Sequence, residues 1–135
     1  MTSSVSAQRL AQVLLFTRLT VFLVMFVWTI DKFLNPAHAG RIFDHFYGIS
    51  GVSANLVYAM GAIQMALVLA FLVGFQKRLS YGLILLLHAG STLSSWRQYM
   101  DPFDNLLFFA AWPMLAACVA LYVLRDDDTL LTLSR

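Results

Sequence analysis

Apolar residues in this chain gather into four long runs separated by short polar segments. The first, Leu10 to Ile30, is interrupted by a single charge, Arg18; the second, Ala54 to Phe75, is charge-free but holds Gln64. The third, Leu79 to Tyr99, is the most polar, and the fourth, Leu106 to Leu124, is charge-free with Pro113 inside it. A helix crossing a bilayer core needs about 20 mostly apolar residues, whereas a membrane strand needs about ten in strict alternation. The runs have the helical length and none of the alternation. They predict helices over about 10–33, 54–75, 79–99 and 106–124.

The polar punctuation agrees with those limits. Asn35-Pro36 ends the first run, Gly74-Phe75-Gln76-Lys77-Arg78 makes a tight turn, and Asp101-Pro102 closes the third. Short connections place successive helices antiparallel. The one long connection, Pro36 to Ser53, has Ala39, Ile42, Phe43, Phe46 and Tyr47 at helical spacing opposite Arg41, Asp44 and His45, the pattern of a helix lying in a membrane interface. The expected fold is therefore all-α: one domain over 1–135, an integral membrane four-helix bundle with a short interfacial amphipathic helix between its first and second helices.

Composition removes the soluble alternatives. The 135 residues are 60% hydrophobic and 12% charged, roughly half the charge of an average soluble domain. The lone Cys118 excludes a disulfide scaffold, a CxxC pair and a multi-cysteine metal site. His38, His45 and Asp44 lack a second shell, so no metal site is expected, and nothing in the pattern suits nucleic acid. The basic residues orient the chain: Arg9, Lys77, Arg78, Arg125 and Arg135 share the side of both termini, and Lys32, Arg41 and Arg97 share the other. That bias favours termini in the cytoplasm of a bacterial inner membrane. Asp126-Asp127-Asp128 reads as a solvated stop, with Leu130, Leu131 and Leu133 resting on the cytoplasmic surface, and Pro113 predicts a kink in the fourth helix.

Ionisable and polar groups at membrane depth are the candidates for function. Arg18 either extends its long stem to the headgroups or pairs with an interior group or anion. On the third helix His88, Ser91, Thr92, Ser95 and Tyr99 share one face and point into the bundle, as a site or as close-packed helix contacts. Past it, Trp96, Arg97, Tyr99, Asp101 and Asp104 lie on the same side as Lys32. They form either a polar vestibule, in which Lys32 or Arg97 binds a carbonyl or anion against an aromatic wall, or an aromatic belt with Arg–Asp pairs holding the loop. His88 would relay a proton in the first case and pack neutrally in the second. Cys118 is expected as an inert thiol.

These residues resemble the DoxX-like family, small four-helix membrane proteins related to the DoxD subunit of thiosulfate:quinone oxidoreductase and to the methylamine-utilisation protein MauE. Asp31-Lys32-Phe33 with Asn35-Pro36 is similar to the family's Lys-hydrophobic-x-x-Pro ending. Gly61 to Gly74 followed by Lys77-Arg78-Leu79 is similar to its hairpin, and Asn105-Leu106-Leu107 fits the opening of its fourth helix. Gln64 stands where the family commonly has a carboxylate, and an amide cannot relay protons. The resemblance implies a place beside membrane redox chemistry. Two readings follow: an accessory protein whose outward vestibule binds a quinone head group or small redox substrate for an oxidoreductase partner, or a non-catalytic anchor, scaffold or assembly factor for a partner protein. The chain has neither cluster ligands nor a dinucleotide fingerprint of its own.

Overall fold

The computed structural model describes residues 4–133, and every regular element among them is helical. α1 spans Ala7–Leu34, α2 Pro36–Tyr47, α3 Ala54–Leu72, α4 Lys77–Ser94, α5 Trp96–Tyr99 and α6 Ala111–Val123, with 3-10 turns at Pro102–Asp104, Leu106–Ala110 and Arg125–Asp127. Three stretches, Ala7–Leu34, Ala54–Leu72 and Leu106–Val123, are long and apolar enough to cross a membrane. α4 is long enough but too polar. Arg135, counted above for orientation, lies outside the described residues.

The helix ends follow local chemistry. Ser6 and Ser53 cap α1 and α3, their hydroxyls accepting the N–H groups of Arg9 at 3.1 Å and Leu56 at 3.2 Å, each satisfying a donor that has no partner inside its helix. α3 stops in a Schellman pattern: the Phe75 N–H donates to the Ala70 carbonyl at 2.9 Å and the Gly74 N–H to Phe71 at 3.2 Å. Gly74 takes the left-handed conformation this requires, with φ of 66°.

Buried positions on α1 are Ala11, Leu14, Arg18, Val21, Met25 and Thr29, steps of three and four that trace one stripe. That stripe packs on α3 and α6, and α4 packs on the same two helices, so the four long helices close a ring in the order α1, α3, α4, α6. Leu14, Val21, Met25, Val68, Phe71, Tyr81, Ile84, Cys118 and Leu121 fill it. Gln64 ties α3 to α1 by donating to Thr29 Oγ1 at 2.9 Å. α2 lies against α1 and α3 at the far end. Its Ala39, Ile42, Phe43 and Phe46 are buried or half-buried, while Arg41, Asp44, His45 and Tyr47 are exposed.

α4 is inside out by the standards of a soluble protein. Lys77, Ser80, Tyr81, Ile84, His88 and Thr92 are buried, while Leu79, Leu83, Leu86, Leu87 and Leu93 are exposed.

Two expected helices are divided. The helix over 79–99 breaks after Ser94, where Ser94 Oγ and Ser95 Oγ both donate to the Ser91 carbonyl at 2.8 and 3.3 Å; hydroxyls in this role compete with the helical ladder. The fourth does not kink in mid-helix at Pro113. A 3-10 stretch leads into α6, and Pro113 falls in the first turn of α6, where a missing N–H is tolerated.

A Cβ on Gly74 would lie 2.6 Å from Thr132 Cγ2, in addition to the strain of a left-handed backbone. Gly74→Ala is expected to lower stability by about 1–2 kcal/mol, read from unfolding in detergent. Gly82→Ala places its methyl 3.2 Å from the Tyr122 ring edge and should be the milder change.

Candidate functional site

Arg18 is fully buried, and its guanidinium organises the near end of the ring, where α1 begins and the chain leaves α6. It lies about 24 Å along α1 from Leu34, level with the close of α3 and the opening of α4. Nη1 donates to Asp128 Oδ1 at 2.7 Å and lies 3.5 Å from the Tyr81 hydroxyl; Nη2 donates to the carbonyls of Leu130 at 2.6 Å and Leu131 at 3.2 Å. Tyr81 donates to the other carboxylate oxygen of Asp128 at 2.5 Å. Lys77 Nζ donates to the Asp128 carbonyl and, at 3.2 Å, to that of Arg125. Arg18 Nε is buried and has no hydrogen-bond partner among the described residues.

This selects one of the two readings of Arg18 and corrects the reading of the three aspartates as a solvated stop. Arg18 does not reach out to the headgroups; it pairs inward. Of the three consecutive aspartates only Asp126 and Asp127 are exposed, while Asp128 is fully buried. A guanidinium buried this fully needs a counter-charge, and the first carboxylate able to turn back beneath α6 supplies it. The tail that follows is held by polar bonds: the Leu133 N–H donates to the Val73 carbonyl at 2.8 Å, whereas Leu130, Leu131 and Leu133 themselves are exposed. Leu131 adopts a left-handed φ of 53°, unusual for a residue with a side chain.

The α4 stripe runs on from this cluster. His88 Nε2 donates to the Ala111 carbonyl at 2.9 Å. A carbonyl only accepts, so a proton sits on Nε2, and in the neutral ring Nδ1 is an acceptor; that atom is buried without a partner among the described residues. The ring stacks on Trp28 with centroids 6.1 Å apart. Thr92 donates to the His88 carbonyl at 2.8 Å, and the Tyr99 hydroxyl to the Thr92 carbonyl at 2.8 Å. Tyr99 also packs against Phe109 and Trp112.

The remaining residues expected in a vestibule are spread over the far end. Lys32 is half-buried, and its stem lies where α1 approaches Gly61 of α3. Trp96 and Arg97 are exposed and touch each other, the guanidinium 5.3 Å from the ring centroid. The Asp101 and Asp104 side chains are exposed. The expected Arg–Asp pairs do not form among the described residues; at the far end Asp31 Oδ2 instead meets His38 Nδ1 at 2.6 Å. His45 meets Gln98 at 3.3 Å.

Lys77, Tyr81 and Asp128 were missed as site residues from sequence. The first two carried a signal, because they continue the His88 face toward the start of α4 in steps of four and seven. Asp128 carried none, since its two neighbours have the same side chain. No family model, curated protein or solved structure matches the chain.

Leaving either member of a buried pair alone costs about 3–5 kcal/mol, while apolar replacement of both is often tolerated. Asp128→Asn or Arg18→Leu should each lose that much in detergent unfolding, and Arg18→Met with Asp128→Leu should recover most of it. Asp126→Asn and Asp127→Asn should stay within about 0.5 kcal/mol of the parent.

Proposed function

We propose that this chain is a four-helix integral membrane protein of a bacterial inner membrane, with both termini cytoplasmic, that serves a redox partner as a non-catalytic accessory or assembly subunit. The buried polar face and exposed leucines of α4 support lipid as its solvent, because in water that polarity would be reversed. The basic residues at the near end support the orientation. The resemblance to DoxX-like proteins supports a redox setting.

One observation carries the accessory role: at the far end Tyr99 is bonded within the protein and the charged groups do not converge. Arg41, Asp44, Arg97, Asp101 and Asp104 are exposed and make no ion pair among the described residues. They leave an outward rim of separated charges for a partner protein to read, and charge complementarity at a rim governs which partner is chosen.

A second reading rests on His88. Its unpartnered Nδ1, beside the Trp28 ring, could accept the hydroxyl of a quinol whose ring lies on the aromatic face, with Trp112 and Tyr99 near the same end.

Purification in native-lipid nanodiscs separates the two. The accessory role predicts a co-purifying oxidoreductase, lost on charge reversal at Arg97 and Asp104, with quinone well below one per chain. His88→Leu should then leave partner binding intact. Stoichiometric quinone that disappears in a folded His88→Leu variant would establish the second reading and remove the first.

A further inference from the structure

Two cations, Arg18 and Lys77, converge with the Tyr81 hydroxyl on the backbone and side chain of one residue, Asp128. The carboxylate uses one oxygen for Arg18 Nη1 and the other for the Tyr81 hydroxyl, charge-assisted hydrogen bonds of the kind that also hold a free carboxylate or a phosphate. Asp128 faces both cations, Asp126 also acts on Lys77 through space, and backbone carbonyls of Arg125, Asp128, Leu130 and Leu131 supply the remaining acceptors. The donors outnumber what the described tail satisfies: Arg18 Nε is buried without an acceptor among the described residues. The occupant is secured by polar bonds and not by buried leucine side chains. Its leucines are exposed, its Leu131 backbone is left-handed, and Thr132 sits against Gly74.

We infer that Arg18, Lys77 and Tyr81 form an anion receptor at the near end of the ring, for which Asp128 is a built-in and displaceable ligand. The external ligand is a phosphate group, carried by an anionic lipid or free in solution. Arg18 and Tyr81 bind its oxygens in place of the carboxylate, Nε gains the acceptor it lacks, and Lys77 offsets its second charge. The donors stand on α1 and α4, which the ring holds in place independently of the tail, so the receptor survives when residues 128–133 lift away. Tail position thereby reports anion occupancy, which gives the near end a signalling state separate from any partner bound at the far end.

The test uses the full chain carrying Leu133→Cys, spin-labelled there, in phosphatidylcholine nanodiscs. Adding phosphatidylglycerol to the bilayer should mobilise the label if the source is lipid. Adding inorganic phosphate to the zwitterionic discs should do so if the source is solution. Neither addition should act on the double apolar variant Arg18→Met, Asp128→Leu. Asp128→Asn removes the competitor, so phosphate or phosphatidylglycerol should bind it more tightly by the factor the tail had withheld, at least about tenfold if the tail fills the site nine-tenths of the time. A label that stays immobile under both additions, with no gain of binding in a folded Asp128→Asn chain, would overturn the proposal and leave the cluster a permanent structural pair. Mobilisation that persists in the double apolar variant would overturn it equally, as nonspecific surface charge.

Discussion

An arginine buried to 0% exposure between apolar helices sets the terms for everything near it. A guanidinium carries donors and no acceptor, so the chain must bring acceptors to it. Stripping water from such a charge costs several kcal/mol, which a single carboxylate offsets only with good geometry and further hydrogen bonds. Asp128, Tyr81 and the carbonyls of Leu130 and Leu131 provide both. Each of those acceptors imposes a condition elsewhere. The chain must turn at once after α6, Tyr81 must face inward on α4, and the α3–α4 turn must leave room for Thr132, which it does by having glycine at position 74.

The same demand explains the unusual polarity of α4. Lys77, Tyr81, His88 and Thr92 sit on one buried seam, tied at one end to the tail and at the other to α6 through Ala111. Interhelical hydrogen bonds of this kind are worth modest amounts in lipid, about 0.6 kcal/mol on average. Their value is in register: α4 can neither rotate nor slide without exposing several polar groups together. The far end is built differently, with exposed charges and aromatics around α2 and α5. One end is closed by its own tail and the other presents separated charges outward.

Helix positions were legible because lipid-scale apolar runs and Pro, Asn and Gly punctuation are strong local signals. The helix breaks were not, because Ser94 and Ser95 act through hydroxyl bonds to a single carbonyl, and Pro113 is innocuous once it falls in a first turn. The His88 face was visible as spacing. The partner of Arg18 was not, because Asp126, Asp127 and Asp128 are chemically identical and only the path of the chain after Val123 selects among them. Likewise nothing in the sequence said that Arg97 would lie over Trp96 rather than pair with Asp101 or Asp104; that depends on where two loops come to rest.

The account centres on Asp128 holding the tail beneath the ring, and amide hydrogen exchange of the full chain in nanodiscs reads that directly. The Leu133 amide, bonded to the Val73 carbonyl, should be protected in the parent and exchange at near-unfolded rates in Asp128→Asn, while the core amides of α1, α3 and α4 stay protected. Equal protection of Leu133 in the two chains would contradict the account, since the tail would then be held by something other than the buried pair.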